Sequence, residues 1–263
     1  MPFSLAAINS LPKPIRDSLY RNLIPKELEE TLSSKLYPSS LKLEVKGKFP
    51  VDENLALIEV KVPFEQRDPV FLCQVSLDET FKSVSLDFIL INDVTQMRFN
   101  IDVDEKGQDT FLGLRSRNIK EEIKAMEAGL APGMIRPGLK LLRRFVGCLE
   151  SFASILGIDS ITLEPLFYHT AILFERYGFT YLKGLKTMLE INREFEPGGK
   201  LFQALDGSSP FRRQGMHLTV RGRSWAIHDG ILEDALGKIW EPPKMYKRVS
   251  KHHGINTFPN QVY

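Results

Sequence analysis

Cysteine is nearly missing: the 263 residues hold two. Cys73 in VFLCQV and Cys148 in FVGCLES stand in apolar contexts, where a reduced, buried thiol is the expectation. Neither has a second Cys or a His at ligand spacing, so no structural disulfide is expected and neither cysteine carries a metal signature. An excess of one charge is also missing, since 35 Lys+Arg face 33 Asp+Glu for a net +2. A dedicated nucleic-acid binder neutralises several phosphates and shows an obvious basic surplus, so no nucleic-acid partner is expected. No apolar run approaches the roughly 18 to 20 residues that cross a bilayer. The N-terminal stretch MPFSLAAINSLPKPIRDSLYRN has neither the basic n-region nor the apolar core of a secretory signal. The expectation is a cytoplasmic protein with no membrane partner. There is no internal repeat and no low-complexity tract. With 43% hydrophobic and 26% charged residues the chain reads as a globular protein of one large or two modest domains.

What is present divides by hydrophobic period. Residues 11 to 34 carry Ile15, Leu19, Leu23, Leu28 and Leu32 at roughly helical spacing, broken at Pro25, which predicts two short helices. From 41 to about 103 the period changes to two through LKLEVKGKF, LALIEVKVPF, VFLCQVSL, SVSLDFILI and QMRFNIDVD, separated by turn signals. These read as five hairpin-connected antiparallel strands whose apolar face needs a layer of helices. Next, RNIKEEIKAMEAGLAPG reads as a charged helix. Leu142, Phe145, Val146, Leu149, Phe152, Ala153 and Leu156 then make an apolar stripe, predicting an amphipathic helix over 138 to 156 stopped by Gly157. A strand in IDSITLEP, a helix over 170 to 176 ended by Gly178, and a strand in FTYLKGL complete the ordered part. Beyond 187 the signal fades to short helices in KTMLEINREF and LFQAL and a long stretch of little periodicity.

The segment from Ile135 to Gly184 resembles the second half of the GCN5-related N-acetyltransferase superfamily. AILFERYGFTYLKG (171 to 184) matches the superfamily's helix ending in Gly-Phe ahead of a strand, and IRPGLKLLRRFVGCLESFASILGIDSITLEP has the order glycine loop, amphipathic helix, strand. The resemblance implies an α/β (α+β) fold with a mixed, mostly antiparallel sheet flanked by helices and a C-terminal extension. The corresponding division is a helical segment at 1–40, an acyltransferase domain at 41–187 and an extension packing on it at 188–263. It also implies acyl transfer from acetyl-CoA or another acyl-CoA, a cosubstrate and not a tightly bound prosthetic group, to a small-molecule or peptide amine.

In such a loop, backbone N–H groups at a helix N-terminus receive the pyrophosphate of coenzyme A. That places the contact at Gly138, Leu139, Lys140 and Leu141, with Arg136 and Lys140 supplying charge. The superfamily loop reads R/Q-x-x-G-x-G/A, whereas Ile135 stands three before Gly138 and Lys140 stands where a second small residue belongs. Phe174 occupies the place of the Tyr that protonates the departing thiolate, which leaves Tyr177, Tyr168 or His169 to substitute. An amine nucleophile must lose a proton, and Glu164, His169, Asp102 and Asp104 are the candidate bases, each weighed against a plain capping or turn role. A non-catalytic scaffold that has lost this chemistry is the alternative reading, and a homodimer is left open.

The last 63 residues carry nine Lys+Arg against five acids, and four of the five histidines. Three readings stand: an extension packing Trp225 and Trp240 on the domain, an anion shell of Arg212, Arg213, Arg221 and Arg223, or a metal site using His228, Asp229, His252 and His253. The first is favoured. The last is weakest, because adjacent His-Asp and His-His pairs lack zinc spacing.

Overall fold

The computed structural model describes residues 4–36, 42–65, 67–78 and 82–259. It divides into two compact units, each assembled from three segments: residues 1–97, 137–163 and 246–252 in the first, and 98–136, 164–245 and 253–263 in the second. Neither unit coincides with the segments 1–40, 41–187 and 188–263 expected from the sequence. The architecture is mixed α/β with a mostly antiparallel sheet.

In the first unit, α1 (Leu5–Asn9), α2 (Lys13–Arg21) and α3 (Glu27–Leu36) precede the strands β1 (Glu44–Lys48), β2 (Leu55–Lys61), β3 (Phe71–Asp78) and β4 (Ser83–Ile91). Consecutive strands pair antiparallel. The alternation seen in the sequence sets which face is buried: Ala56, Ile58 and Val60 on β2 and Phe71, Cys73 and Val75 on β3 all point to the core. The covering layer is the N-terminal helices and α5 (Leu142–Ile155), whose Phe145 meets Phe71 edge-on with ring centroids 5.7 Å apart. Tyr20 of α2 stacks on Phe49 at 4.4 Å and meets Phe152 of α5 at 5.8 Å. Its hydroxyl donates to Asn9 Oδ1 at 2.5 Å, and the Asn9 amide donates to the carbonyls of Pro50, Glu53 and Leu55. The two N–H hydrogens of one buried Asn are thereby shared among three carbonyls between residue 50 and the start of β2. β5 (Ser160–Leu163) adds to β4 in parallel, and residues 246–248 of β7 (Lys244–Arg248) lie beyond β5.

The second unit is mainly helical: α4 (Ile119–Glu127), α6 (Tyr168–Arg176), α7 (Leu185–Glu194), α8 (Lys200–Gln203), a 3₁₀ turn Met216–Leu218, α9 (Val220–His228) and α10 (Ile231–Leu236), with the strand β6 (Thr180–Lys183). Phe99, Ile101, Ala125, Leu130, Ile135, Phe211 and Trp225 form one core cluster. The Trp225 indole donates to the Leu130 carbonyl at 2.8 Å.

Two sequence expectations are corrected here. QMRFNIDVD is not a fifth strand. Phe99 and Ile101 are buried as its alternation requires, but against α4 and Trp225 and not in a ladder, and Arg98 and Asp102 close a local ion pair at 2.5 Å. The helix foreseen from 138 begins at Leu142, because Lys140 sits at φ +60°, outside helical backbone space.

Candidate active site

β4 and β5 run side by side only over Val84↔Ile161, Ser85↔Thr162 and Leu86↔Leu163. β4 continues to Ile91, while the chain leaves β5 at Glu164 and Pro165, and a proline has no N–H for a ladder. The two strands part where β4 carries a bulge. Leu86 faces Val75 and Phe88 faces Gln74, so Asp87 is the extra residue. The Asp87 carboxylate accepts from Ser85 Oγ at 2.8 Å and Ser76 Oγ at 3.0 Å. Past Leu86, the β4 edge away from β3 has no strand partner among the described residues and offers backbone donors and acceptors to a ligand.

Residues 92 and 138 hold the loop before α5 against the end of β4. Asn92 and Gly138 form an antiparallel bridge, and the Asp93 N–H donates to the Pro137 carbonyl at 2.8 Å. A Cβ on Gly138 would lie 3.1 Å from the Ile91 carbonyl oxygen, which is why glycine suits this approach. The Asp93 carboxylate is buried and paired with Lys35. Burial pushes its pKa up, but hydrogen bonds from Lys35 and Thr95 more than offset that and hold it below the usual carboxylate range.

Of the expected cofactor residues, Gly138, Leu139, Lys140 and Leu141 lie in this loop of the first unit, and Arg136 is a buried residue of the second. Leu139 and Leu141 bury their side chains, while Lys140 is exposed. Leu141 caps α5 without a side-chain hydrogen bond, leaving the first amides of a 14-residue helix to other partners. Lys140 and Arg143 are exposed beside them, and Arg144 pairs with Glu27 at 3.2 Å.

The proposed catalytic residues Glu164, His169 and Tyr177 all belong to the second unit but do not converge. His169 and Tyr177 stand at opposite ends of α6, about 12 Å apart by helical rise. Glu164 is exposed, with Lys244 Nζ at 3.9 Å. His169 is buried, and its Nδ1 shares a 3.0 Å hydrogen bond with Ser224 Oγ. Burial, with the charges of Arg221 and His228, pushes its pKa down to about 3, so the imidazole is neutral at physiological pH. Tyr177 is the half-buried C-cap of α6, and Phe174 is buried against Phe179 with centroids at 5.1 Å. Asp102 is engaged by Arg98, and Asp104 accepts backbone N–H groups of its own turn from Lys106 and Gln108.

The second unit also contains a cleft of roughly 380 Å³ that sequence reasoning did not find. Its walls include Arg115, Arg117, Phe167, Tyr168, Ser224, His228 and Trp240. Behind it runs a chain of charges. Arg212 pairs with Asp234 and Asp229, Asp229 with Arg117 at 2.9 Å, Arg117 with Glu122 at 2.5 Å, and Glu122 Oε1 lies 3.5 Å from His228 Nε2. Burial raises the Glu122 pKa, but hydrogen bonds from His228 and Arg117 outweigh it and leave the carboxyl below its ordinary range. Of the arginines expected to shell an anion, Arg212 is thus consumed by carboxylates. Arg223 is buried between Phe195 and Phe258 and donates to Asn192 Oδ1 and the His217 carbonyl. The sequence signal for the cleft is weak: RSR at 115 to 117, and the pair His228-Asp229, which in the sequence suggests only metal ligands. Among the described residues no group of three or more His, Cys, Asp or Glu is arranged to hold a metal ion, and no helix is long and apolar enough to cross a membrane.

No protein-family model and no curated protein matches the chain. Among solved structures, the crystal structure of nourseothricin acetyltransferase is similar at 12% identity and a TM-score of 0.26, covering 58% of this chain and 82% of that one.

Proposed function

We propose that the protein transfers an acyl group from acyl-CoA to an amine by direct attack, in the manner of the GCN5-related N-acetyltransferases. The observation that carries the reading is the parting of β4 and β5 at the Asp87 bulge, next to the loop that the sequence resemblance assigns to the cofactor. An open strand edge supplies backbone N–H groups that can hold a thioester and stabilise the oxyanion that develops on its carbonyl. The uncapped N-terminus of α5, with Lys140 and Arg143 exposed beside it, supports the pyrophosphate.

Of the candidate bases, Glu164 suits the amine proton best, since it is exposed and comes directly after β5. His169 is buried and neutral and holds Ser224, a positioning role. With Phe174 in the acid's place, the leaving thiolate takes its proton from water.

The test is calorimetric titration of the full chain with acetyl-CoA and longer acyl-CoAs, with a thermal shift as the second readout. Binding that Gly138→Trp abolishes supports the reading. Absence of binding by every thioester refutes it and favours the scaffold alternative.

A further inference from the structure

We infer that the cleft of the second unit is a binding site for a small aromatic carboxylate. The inference goes beyond acyl transfer and stands independently of it, because every residue it uses lies within that one unit.

Size and lining come first. A volume of roughly 380 Å³ is that of a small-molecule site. Phe167, Tyr168 and Trp240 contribute flat apolar faces, and the last two meet edge-on at 6.2 Å. The Trp240 indole N–H is spent on the Leu166 carbonyl at 2.7 Å, so its ring is fixed as a wall. Such faces select a planar or apolar body.

Charge decides the head group. Two guanidinium groups line the cleft. Arg117 is already matched by Glu122 and Asp229. Arg115 is exposed and has no carboxylate partner among the described residues; its guanidinium lies over the ring of Phe111, 6.0 Å away. The surplus at the walls is therefore a single fork-shaped cation, which fits one carboxylate bidentately. A phosphate dianion would bring a second negative charge toward the buried Glu122 without a second free cation to meet it. Ser116 and Ser224 line the same cleft, the Ser224 hydroxyl being engaged by His169 Nδ1 at 3.0 Å.

The wall that presents Arg115 is held in an unfavourable conformation. Phe111 and Leu112 take φ +53° and +57°, with Gly113 next at +87°. Consecutive left-handed non-glycine residues are costly, and such strain concentrates at ligand sites. It is retained here by bonds to its neighbours: the Phe111 N–H donates to Asp109 Oδ1 at 2.7 Å and the Gly113 N–H to Thr110 Oγ1 at 3.2 Å. A side chain at Gly113 would be strained, since its φ is +87° and a Cβ would meet Glu122 Oε1 and His228 Nε2 at 3.0 Å.

The test is titration of the full chain, without coenzyme A, with three probes of one shape: phenylacetate, phenylacetamide and benzylphosphonate. Phenylacetate is expected to bind with a Kd on the order of 1 mM, and the neutral amide and the phosphonate at least about tenfold more weakly. Arg115→Ala should weaken phenylacetate about tenfold. Arg193→Ala, at an exposed residue paired with its neighbour Glu194, should leave it unchanged. Equal binding of acid and amide, tighter binding of the phosphonate, indifference to Arg115→Ala, or equal weakening by Arg193→Ala would each overturn the assignment. Because no thioester is present, failure here leaves the acyl-transfer reading to its own titration.

Discussion

Asn92 and Gly138 face one another in an antiparallel bridge, although an insertion that includes α4 separates them in the chain. The bridge returns the chain to the end of β4 and sets the height of the loop that opens α5. Gly138 is the crowded member, because the Ile91 carbonyl oxygen stands 3.1 Å from where a Cβ would be. Gly138→Ala should move the loop by a few tenths of an ångström and weaken acyl-CoA binding about threefold to tenfold, whereas Gly138→Trp should abolish it. Calorimetry on both variants checks the gradation; an alanine variant that binds as wild type would show that the loop does not carry the cofactor.

Lys140 occupies the left-handed region at φ +60°. For a side chain with a Cβ that conformation is unfavourable by about 1 to 2 kcal/mol, and glycine escapes it. Lys140→Gly should therefore stabilise the first unit by about 1 kcal/mol while removing a cation from the α5 N-terminus. Denaturant unfolding measures the first effect, and the salt dependence of acyl-CoA binding measures the second. A fall in stability would mean that the Lys140 side chain makes a contact stronger than the strain it imposes.

Elements with a regular hydrophobic period are plain in the sequence. β2, β3 and β4 alternate, α5 carries its stripe, and Gly178 ends α6 at φ +89°. α9 escapes notice for a physical reason. Its buried residues include Gly222, Arg223 and Ser224: the glycine packs on the Met216 carbonyl, the arginine reaches Asn192 and His217, and the serine meets His169. A helix buried on nearly every side, with hydrogen-bonded polar groups among its apolar residues, has no apolar stripe to read. The charge chain from Asp234 to His228 is hidden likewise, since its members come from separate segments and single charges look like solvated surface.

Glu122 is nearly inaccessible and stands between Arg117 and His228. Removing one member of a buried ion pair leaves its partner uncompensated, which costs about 3 kcal/mol or more. Glu122→Ala should lower the melting temperature by on the order of 10 °C, and Glu122→Gln by less, because an amide still accepts from Arg117. Scanning calorimetry on the two variants checks the order; equal losses would mean that packing, not charge, dominates at this residue.

His169 gives stability a pH dependence of known sign. Its folded pKa is about 3, against 6.5 for a free imidazole, so between these values the unfolded chain binds a proton that the folded protein refuses. The contribution is fully present above pH 6.5 and is lost as pH falls toward 3. The buried carboxylates Glu122, Asp229 and Asp93, held below their ordinary values, withdraw theirs only at lower pH, beneath about 4.5. Unfolding midpoints from pH 7.5 to 5 should therefore fall in the wild type and fall less in His169→Gln. His217, also pushed down by burial and Arg223, keeps the variant's slope above zero. Parallel slopes would show that His169 is solvated in solution.

Glu175 is buried and receives the N–H and hydroxyl of Thr257 at 2.9 and 2.7 Å, and the Tyr181 hydroxyl as well. Phe258 lies 3.5 Å beneath the Arg223 guanidinium. Residues distant along the chain therefore finish the second unit, just as Tyr246–His252 finish the first. A chain that ends at Gly184 can complete neither unit. Nor can cutting the chain at a single point release either unit whole: a fragment such as 1–187 would lack a strand segment of the first and most helices of the second.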